Sequence, residues 1–392
     1  MVVRKLSANK IFTGTRMIDQ GVLIINPEGK VLDLVPQTEA GDDIELFDGI
    51  ISPGFVNMHC HLELSYLHGK IDEKTGLVDF LLEVLKKKLH PSQSIIEMIA
   101  KAENEMLQNG IVAVGDICNT TDTLEQKKLA NLYYYSFIEV AGFLEINASE
   151  RYQQGESLYE HFSATDSRLT GCSIVPHAPY SVSRSLMSLI SQQNKQHLVS
   201  IHNQESAEEN KFFRDGTGDF KRLYAELDIS LQNFVPPGVS SFLYFLPYFM
   251  QCKRMILVHN VATSENDLNF ATSNGFFSKL SWCLCPNANL YISAKLPDVV
   301  LLKKYNAHLV IGTDSLASNH QLSILAELKT LQQHFPFLTI SEMLQWATFN
   351  GAQALDITNR FGSLDKGKSP GIVLIENVSG NSLKNAICRR LI

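Results

Sequence analysis

Eight short apolar runs punctuate the chain, separated by longer stretches whose apolar positions recur at helical spacing. The first ends in ISPGFVNMHCH (51–61). It is followed by GIVAVGDI (110–117), NLYYYSFIEV (131–140), GCSIVPHA (171–178), HLVSIHN (197–203), RMILVHN (254–260), KLSWCLCPN (279–287) and AHLVIGTDS (307–315). Runs of this length, rich in β-branched and aromatic residues, read as buried strands. Strands that alternate with helices pair in parallel, and eight of them point to a closed, distorted (β/α)8 barrel rather than an open sheet. The intervening helices have recognisable ends. PSQSIIEMIAKAENEMLQNG (91–110) offers serines as N-caps and Gly110 as a stop, and Thr339 stands three residues before Glu342, the spacing of a capping box.

The two ends of the chain follow a different period. Residues 1–50 alternate apolar and polar positions between Gly and Asn-Pro turns, and GSLDKGKSPGIVLIENV (362–378) returns to that character. This predicts a barrel over residues 51–358 and a small β-sandwich subdomain built from 1–50 and 359–392 together.

Composition narrows the function classes. A chain of 392 residues, 45% hydrophobic and 19% charged, can bury a barrel-sized core. The net charge of −7 and the lack of basic clusters beyond Lys86–Lys88 argue against a nucleic-acid partner, and that lysine run reads as a solvated helix face. No signal peptide and no long apolar span is apparent, so a cytoplasmic protein without membrane contact is expected. Seven scattered cysteines make no disulfide framework, and Cys283 and Cys285 read as buried side chains on one strand face.

Candidate chemistry gathers at the strand ends, where barrel enzymes carry their active sites. His59 and His61, two apart on one strand, project to the same side, which is metal-ligand geometry. His177, His202, His259 and Asp314 each end a further run. One such histidine is usually a hydrogen-bonded core or rim residue; their joint placement is hard to explain as core filling.

Taken in order, PGFVNMHCH, PHAPYS, HNQE, VHN, CPNANL, GTDSLASN and GSLDKGK resemble the amidohydrolase superfamily over nearly the whole chain. The likeness is to its mononuclear aminohydrolase branch, which includes nucleoside deaminases and related chlorohydrolases and has a TIM-barrel fold. The resemblance implies one divalent ion, Zn²⁺ with Fe²⁺ as the alternative, held by His59, His61, His202 and Asp314. It further implies Glu205 as the catalytic carboxyl, His259 as the residue orienting the attacking water, Asp314 as acceptor of its proton, and His177 as a substrate contact. Glu63 is a candidate for a ribose hydroxyl, and Ser318 and Asn319 are further candidate substrate contacts. No lysine ends the fourth strand, so a carboxylated-lysine bridge is not expected. Three imidazoles and a carboxylate suit a divalent ion that leaves room for water. The motifs are most similar to those of aminodeoxyfutalosine deaminases, with adenosine and S-adenosylhomocysteine deaminases close behind. The expected activity is thus hydrolytic deamination of a small-molecule 6-aminopurine nucleoside derivative, by a chain that forms a homodimer in one reading. The alternatives are a chlorohydrolase or cyclic-amide hydrolase, a guanine or cytosine deaminase, and a non-catalytic scaffold relative. The aromatic-rich segment 203–253 reads as a packing layer or as a lid over the site. No GxxxxGK[ST] or GxGxxG loop supports nucleotide-driven or hydride transfer.

Overall fold

The computed structural model describes residues 3–87, 93–164 and 170–392. Its body is two four-stranded parallel sheets. β1 (Phe55–Cys60), β2 (Ile111–Cys118), β3 (Tyr133–Val140) and β4 (Thr170–Pro176) form one, and β5 (Leu198–Asn203), β6 (Arg254–His259), β7 (Leu280–Leu284) and β8 (Leu309–Ile311) the other. The sheets meet on both sides. Ser173 Oγ in β4 donates to the Leu198 carbonyl in β5 (2.7 Å), and the backbone N–H groups of Thr313 and Asp314, just past β8, donate to the His59 carbonyl in β1 (3.1 and 2.9 Å). β1, β2 and β5 to β8 are buried along almost their whole length, as parallel strands covered on both faces must be.

Of the helices, those that bear on the site are α1 (Leu77–Lys87), α2 (Gln93–Gln108), α3 (Ala207–Asp215), α4 (Phe220–Glu226), α5 (Pro286–Ser293), α6 (Ile324–His334) and α7 (Ile340–Gln345). Gly110 adopts a left-handed φ of 78° just beyond α2, which ends the helix. Of the serines expected to cap α2, Ser92 lies outside the described residues and Ser94 lies inside the helix. Lys86 and Lys87 stand in the last turn of α1 beside Glu83; Lys88 lies outside the described residues. Thr339 and Glu342 form the capping box of α7 in both directions (3.2 and 3.1 Å). That helix continues through a π-helical turn, Trp346–Asn350, to Gly351, where a Cβ would stand 2.8 Å from Val56 Cβ, so only glycine lets the helix press onto β1.

Both chain ends join one seven-stranded sheet. Its strand Ile44–Pro53 pairs in parallel with Arg4–Phe12 and antiparallel with Ile372–Glu376. Alternation decides what each side chain touches: Ile372 and Leu374 join a separate apolar cluster with Leu6, Leu23 and Ile51, whereas Val373 and Ile375 face the main core. The terminal sheet is thereby fastened to the body through a strand buried on both faces. Among the described residues no helix is long and apolar enough to cross a membrane.

Candidate metal centre and active site

His59 and His61, at the end of β1, place their Nε2 atoms 3.2 Å apart, and His61 Nε2 lies 3.3 Å from His202 Nε2 at the end of β5. Asp314 Oδ1 is 3.6 Å from both His59 and His61 Nε2. Ligand nitrogens held about 2.0–2.1 Å from a tetrahedral zinc stand about 3.3 Å from one another, so the donor set fits a divalent ion of that kind. The orientation of each ligand is fixed from behind. His202 Nδ1 donates to the His177 carbonyl (2.9 Å), which leaves the Nε2 lone pair free. Ser318 Oγ donates to Asp314 Oδ2 (2.7 Å), which leaves Oδ1 for the histidines. Asn57 clasps Thr313 through its backbone N–H (3.0 Å) and hydroxyl (2.7 Å). A Cβ on Gly312 would come within 3.0 Å of His59 and of both Cys283 and Cys285 sulfurs, so glycine lets β8 close on β1 while the two cysteines fill the space behind.

Burial sets the charge state. It pushes the His202 and His177 imidazoles down to about 4, with neighbouring histidines adding to the effect, and it holds His61 and His259 well below their ordinary value. Burial alone would raise Asp314, but the surrounding His59, His61 and His259 outweigh it and hold this carboxyl well below the usual range. Neutral imidazoles and an ionised carboxylate are the protonation states a metal requires.

Glu205 lies three residues beyond His202, buried, with Oε1 3.6 Å from His259 Nε2. Burial, reinforced by Asp314 and Glu209, pushes its carboxyl well above the ordinary value, the direction opposite to that of Asp314. Asn289 Nδ2, from α5, faces His259 Nδ1 at 3.1 Å and can only donate, so the imidazole proton of His259 sits on Nε2, on the Glu205 side. Gln204, His259, Asn260 and Asp314 all have positive φ (48°, 75°, 62° and 57°). Non-glycine residues held there cost on the order of 1–3 kcal/mol each, and their concentration at the ends of β5, β6 and β8 marks a site whose geometry the surroundings impose.

A cavity of about 670 Å³ opens over these strand ends. His61, His202, Glu205, His259 and Asp314 form its polar floor; Leu64, Phe80, Leu81, Phe143 and Leu223 contribute an apolar wall. His177 lines it, with Nδ1 2.6 Å from Ser181 Oγ. The three other candidate substrate contacts each hold a neighbouring segment. Ser318 and Asn319 lie behind Asp314, fully buried: Ser318 holds its carboxylate, and Asn319 Nδ2 donates to the Thr313 carbonyl and to Glu327 (both 2.8 Å). Glu63 Oε2 accepts from the backbone N–H groups of Asn119 and Thr120 and from the Thr120 hydroxyl, all at 3.0 Å, so this oxygen holds the loop after β2. In segment 203–253 most aromatics are packing: Phe212, Phe220, Phe242, Phe245 and Phe249 are buried, whereas Tyr224 reaches the cavity wall.

Two polar residues were not singled out by the sequence reading. Asn289 sits within CPNANL, but nothing in the motif ties it to His259. Glu139, which lines the cavity, is the penultimate residue of the third apolar run, so the strand-end signal that selected the histidines was also present there.

Residues 50–388 match the model described as amidohydrolase family. The 5′-deoxyadenosine deaminase of Methanococcus maripaludis (strain C7) is 24% identical over 355 residues, which is 85% of this chain and 77% of that protein. The 5-methylthioadenosine/S-adenosylhomocysteine deaminase of Saccharophagus degradans is 23% identical over 92% of this chain and 80% of its own length. Among solved structures, Helicobacter pylori aminofutalosine deaminase in complex with methylthio-coformycin superposes with a TM-score of 0.83 at 20% identity, covering 99% of this chain and 100% of that one. The family match spans the body of the fold and every strand end that carries the site, and the chain belongs to the amidohydrolase family.

Proposed function

We propose that this chain is a mononuclear metal-dependent hydrolase that replaces the 6-amino group of a purine nucleoside derivative by oxygen and releases ammonia. The observation that carries the reading is the pairing, in one cavity, of a three-imidazole, one-carboxylate donor set with the buried Glu205 carboxyl 3.6 Å from His259 Nε2. The names of the two curated relatives given above, both deaminases of adenosine-like nucleosides, support it. In this reading His59, His61, His202 and Asp314 hold one Zn²⁺, whose contribution when bound is to lower the pKa of water to about 7 and so supply a nucleophile at neutral pH. Glu205 gives its proton to the ring nitrogen beside the carbon under attack, so that carbon can accept the oxygen without building a ring anion. Asp314 takes the proton that the water gives up, and His259 Nε2–H steadies the incoming oxygen. Asp314 passes its proton to the amino group, which leaves as ammonia as the C–N bond breaks, and the proton remaining on the added oxygen returns to Glu205.

The finer architecture in the same reading is a distorted (β/α)8 TIM-type barrel over residues 51–358, made of the two sheets, with 1–50 and 359–392 as a small β-sandwich. The apolar cavity wall suits the aryl part of a 5′ substituent of the aminodeoxyfutalosine type. Seven free cysteines go with a cytoplasmic setting. The test is product analysis of the zinc-loaded enzyme on adenosine, 5′-deoxyadenosine, 5′-methylthioadenosine and aminodeoxyfutalosine, with chlorinated triazines alongside. Ammonia and a 6-oxopurine from a nucleoside support the reading; chloride release from a triazine with every nucleoside left intact contradicts it.

A further inference from the structure

Glu139, near the end of β3, is a carboxylate without a cation. Its side chain is 6% exposed, and among the described residues no lysine or arginine pairs with it. Oε1 accepts from Asn119 Nδ2 (3.1 Å), which also donates to the Glu139 carbonyl (3.1 Å). Oε2 lies 3.4 Å from His202 Nδ1, but that nitrogen already donates to the His177 carbonyl at 2.9 Å. The histidine therefore has its orientation without the carboxylate, and Oε2 faces the cavity with acceptor capacity to spare. A buried carboxylate left in this state is costly unless donors arrive from elsewhere.

Its position says which donors. Glu139 Oε2 stands on the Nδ1 side of the His202 ring, whose far nitrogen Nε2 faces His61, so Glu139 lines the cavity across that ring from the proposed metal centre. Groups that reach it belong to the part of the substrate beyond the heterocycle. Glu139 is also placed with care. Glu63 holds the backbone of Asn119 and Thr120, Asn119 holds Oε1, and Oε2 is thereby turned to the cavity. A second metal ion on Glu139, His177 and His202 is the other arrangement the cluster suggests. It is disfavoured because His202 would have to give up the proton that Nδ1 donates to the His177 carbonyl.

We propose that Glu139 binds the sugar hydroxyls of the substrate, with Asn119 and Glu63 positioning it. This rests on the aminopurine nucleoside reading. A hydroxyl donating to a carboxylate inside a water-poor cavity is a charge-assisted bond, and bonds of that class are worth about 10- to 100-fold in affinity. The interaction does not change as the ring carbon is attacked, so its loss falls on KM rather than kcat.

The experiment compares zinc-loaded wild type and Glu139→Gln on adenosine and on 2′,3′-dideoxyadenosine, with metal content measured in parallel. Gln keeps the size of the side chain and the contact with Asn119. The expected result is a KM for adenosine raised about 10- to 100-fold, a KM for the dideoxy substrate changed less than about threefold, and one equivalent of metal in both proteins. Glu63→Gln, which loosens the support, should show the same selectivity at smaller amplitude. An equal penalty on both substrates, or loss of metal from Glu139→Gln, overturns the role of Glu139 while leaving the deaminase reading intact. A wild type that turns over neither nucleoside, nor any other 6-aminopurine nucleoside, overturns both together.

Discussion

Glu205 and Asp314 are two buried carboxyls in one cavity, and their neighbours drive them in opposite directions. The imidazoles facing Asp314 hold its carboxyl well below the usual range, whereas burial pushes that of Glu205 well above it. That division predicts the effect of Glu205→Gln: metal content stays near one equivalent and turnover falls about 10²- to 10⁴-fold, as read by metal analysis and steady-state rates. If the variant is metal-free and regains full activity on reconstitution, Glu205 is a ligand. Asn289 offers a subtler test through the His259 proton. Asn289→Asp puts an acceptor opposite His259 Nδ1, draws the proton to that nitrogen and removes the donor from Nε2. The outcome expected is a kcat reduced about 10- to 100-fold with metal and melting temperature little changed, and Asn289→Ala should be less impaired than Asn289→Asp. That His59, His61, His177, His202, His259 and Asp314 gather at strand ends was legible from strand periodicity, and the resemblance then singled out four of them as ligands. Asn289 was not legible, because its role depends on how α5 docks beside β6, which no local pattern records. Ser318 and Asn319 were placed near the site by their motif, but whether they faced the cavity or the back of Asp314 depended on the turn after β8.

At the scale of elements, the strand-end loops are held by buried polar groups rather than by their own propensities. Glu327 of α6 accepts from the Asn287 backbone (2.9 Å) and side chain (3.0 Å) at the start of α5 and from Asn319 (2.8 Å) after β8, so one carboxylate joins the loops behind two strands. Lys127 donates to Asp116 Oδ2 (2.6 Å), and Asp116 Oδ1 accepts from the Leu62 N–H (2.9 Å), which fixes the chain just past His61. Both partners are fully buried. Lys127→Met leaves Asp116 as an uncompensated buried charge, and denaturant unfolding should show a loss of about 3–5 kcal/mol. A loss below about 1 kcal/mol would mean that the pair contributes little. Capping at Thr339 and the stop at Gly110 were readable in advance, because they depend on neighbours three or four residues away. The buried lysine was not, since its partner lies on the preceding strand and its composition resembles that of any exposed helix.

For the whole molecule, both chain ends enter one sheet that is fastened to the body through Ile50, Val373 and Ile375, so terminal sheet and body should unfold together. An ion held as proposed would add to this cohesion, because its four proposed ligands come from β1, β5 and the turn after β8 and would tie the two sheets together. Chelation should lower the melting temperature, with a stabilisation at saturating ion of about 4 kcal/mol when free metal exceeds its dissociation constant about 1,000-fold. An unchanged melting curve after complete metal removal would show that the donor set binds no ion. The alternation of eight apolar runs was enough to indicate an α/β body with parallel strands, and the period change at both ends indicated the terminal sheet. The interleaving of the ends, with Ile44–Pro53 between strands from opposite termini, was beyond any sequence pattern because it rests on pairing across more than 300 residues. The central claim is that this cavity exchanges a purine amino group for oxygen. It is tested most directly by measuring ammonia and 6-oxopurine together as the zinc-loaded enzyme acts on 6-aminopurine nucleosides: the two should form in equal amounts and both should fall together, about 10²- to 10⁴-fold, in Glu205→Gln, whereas oxopurine absent from every nucleoside, with chloride or a ring-opened product released from another heterocycle, would contradict it.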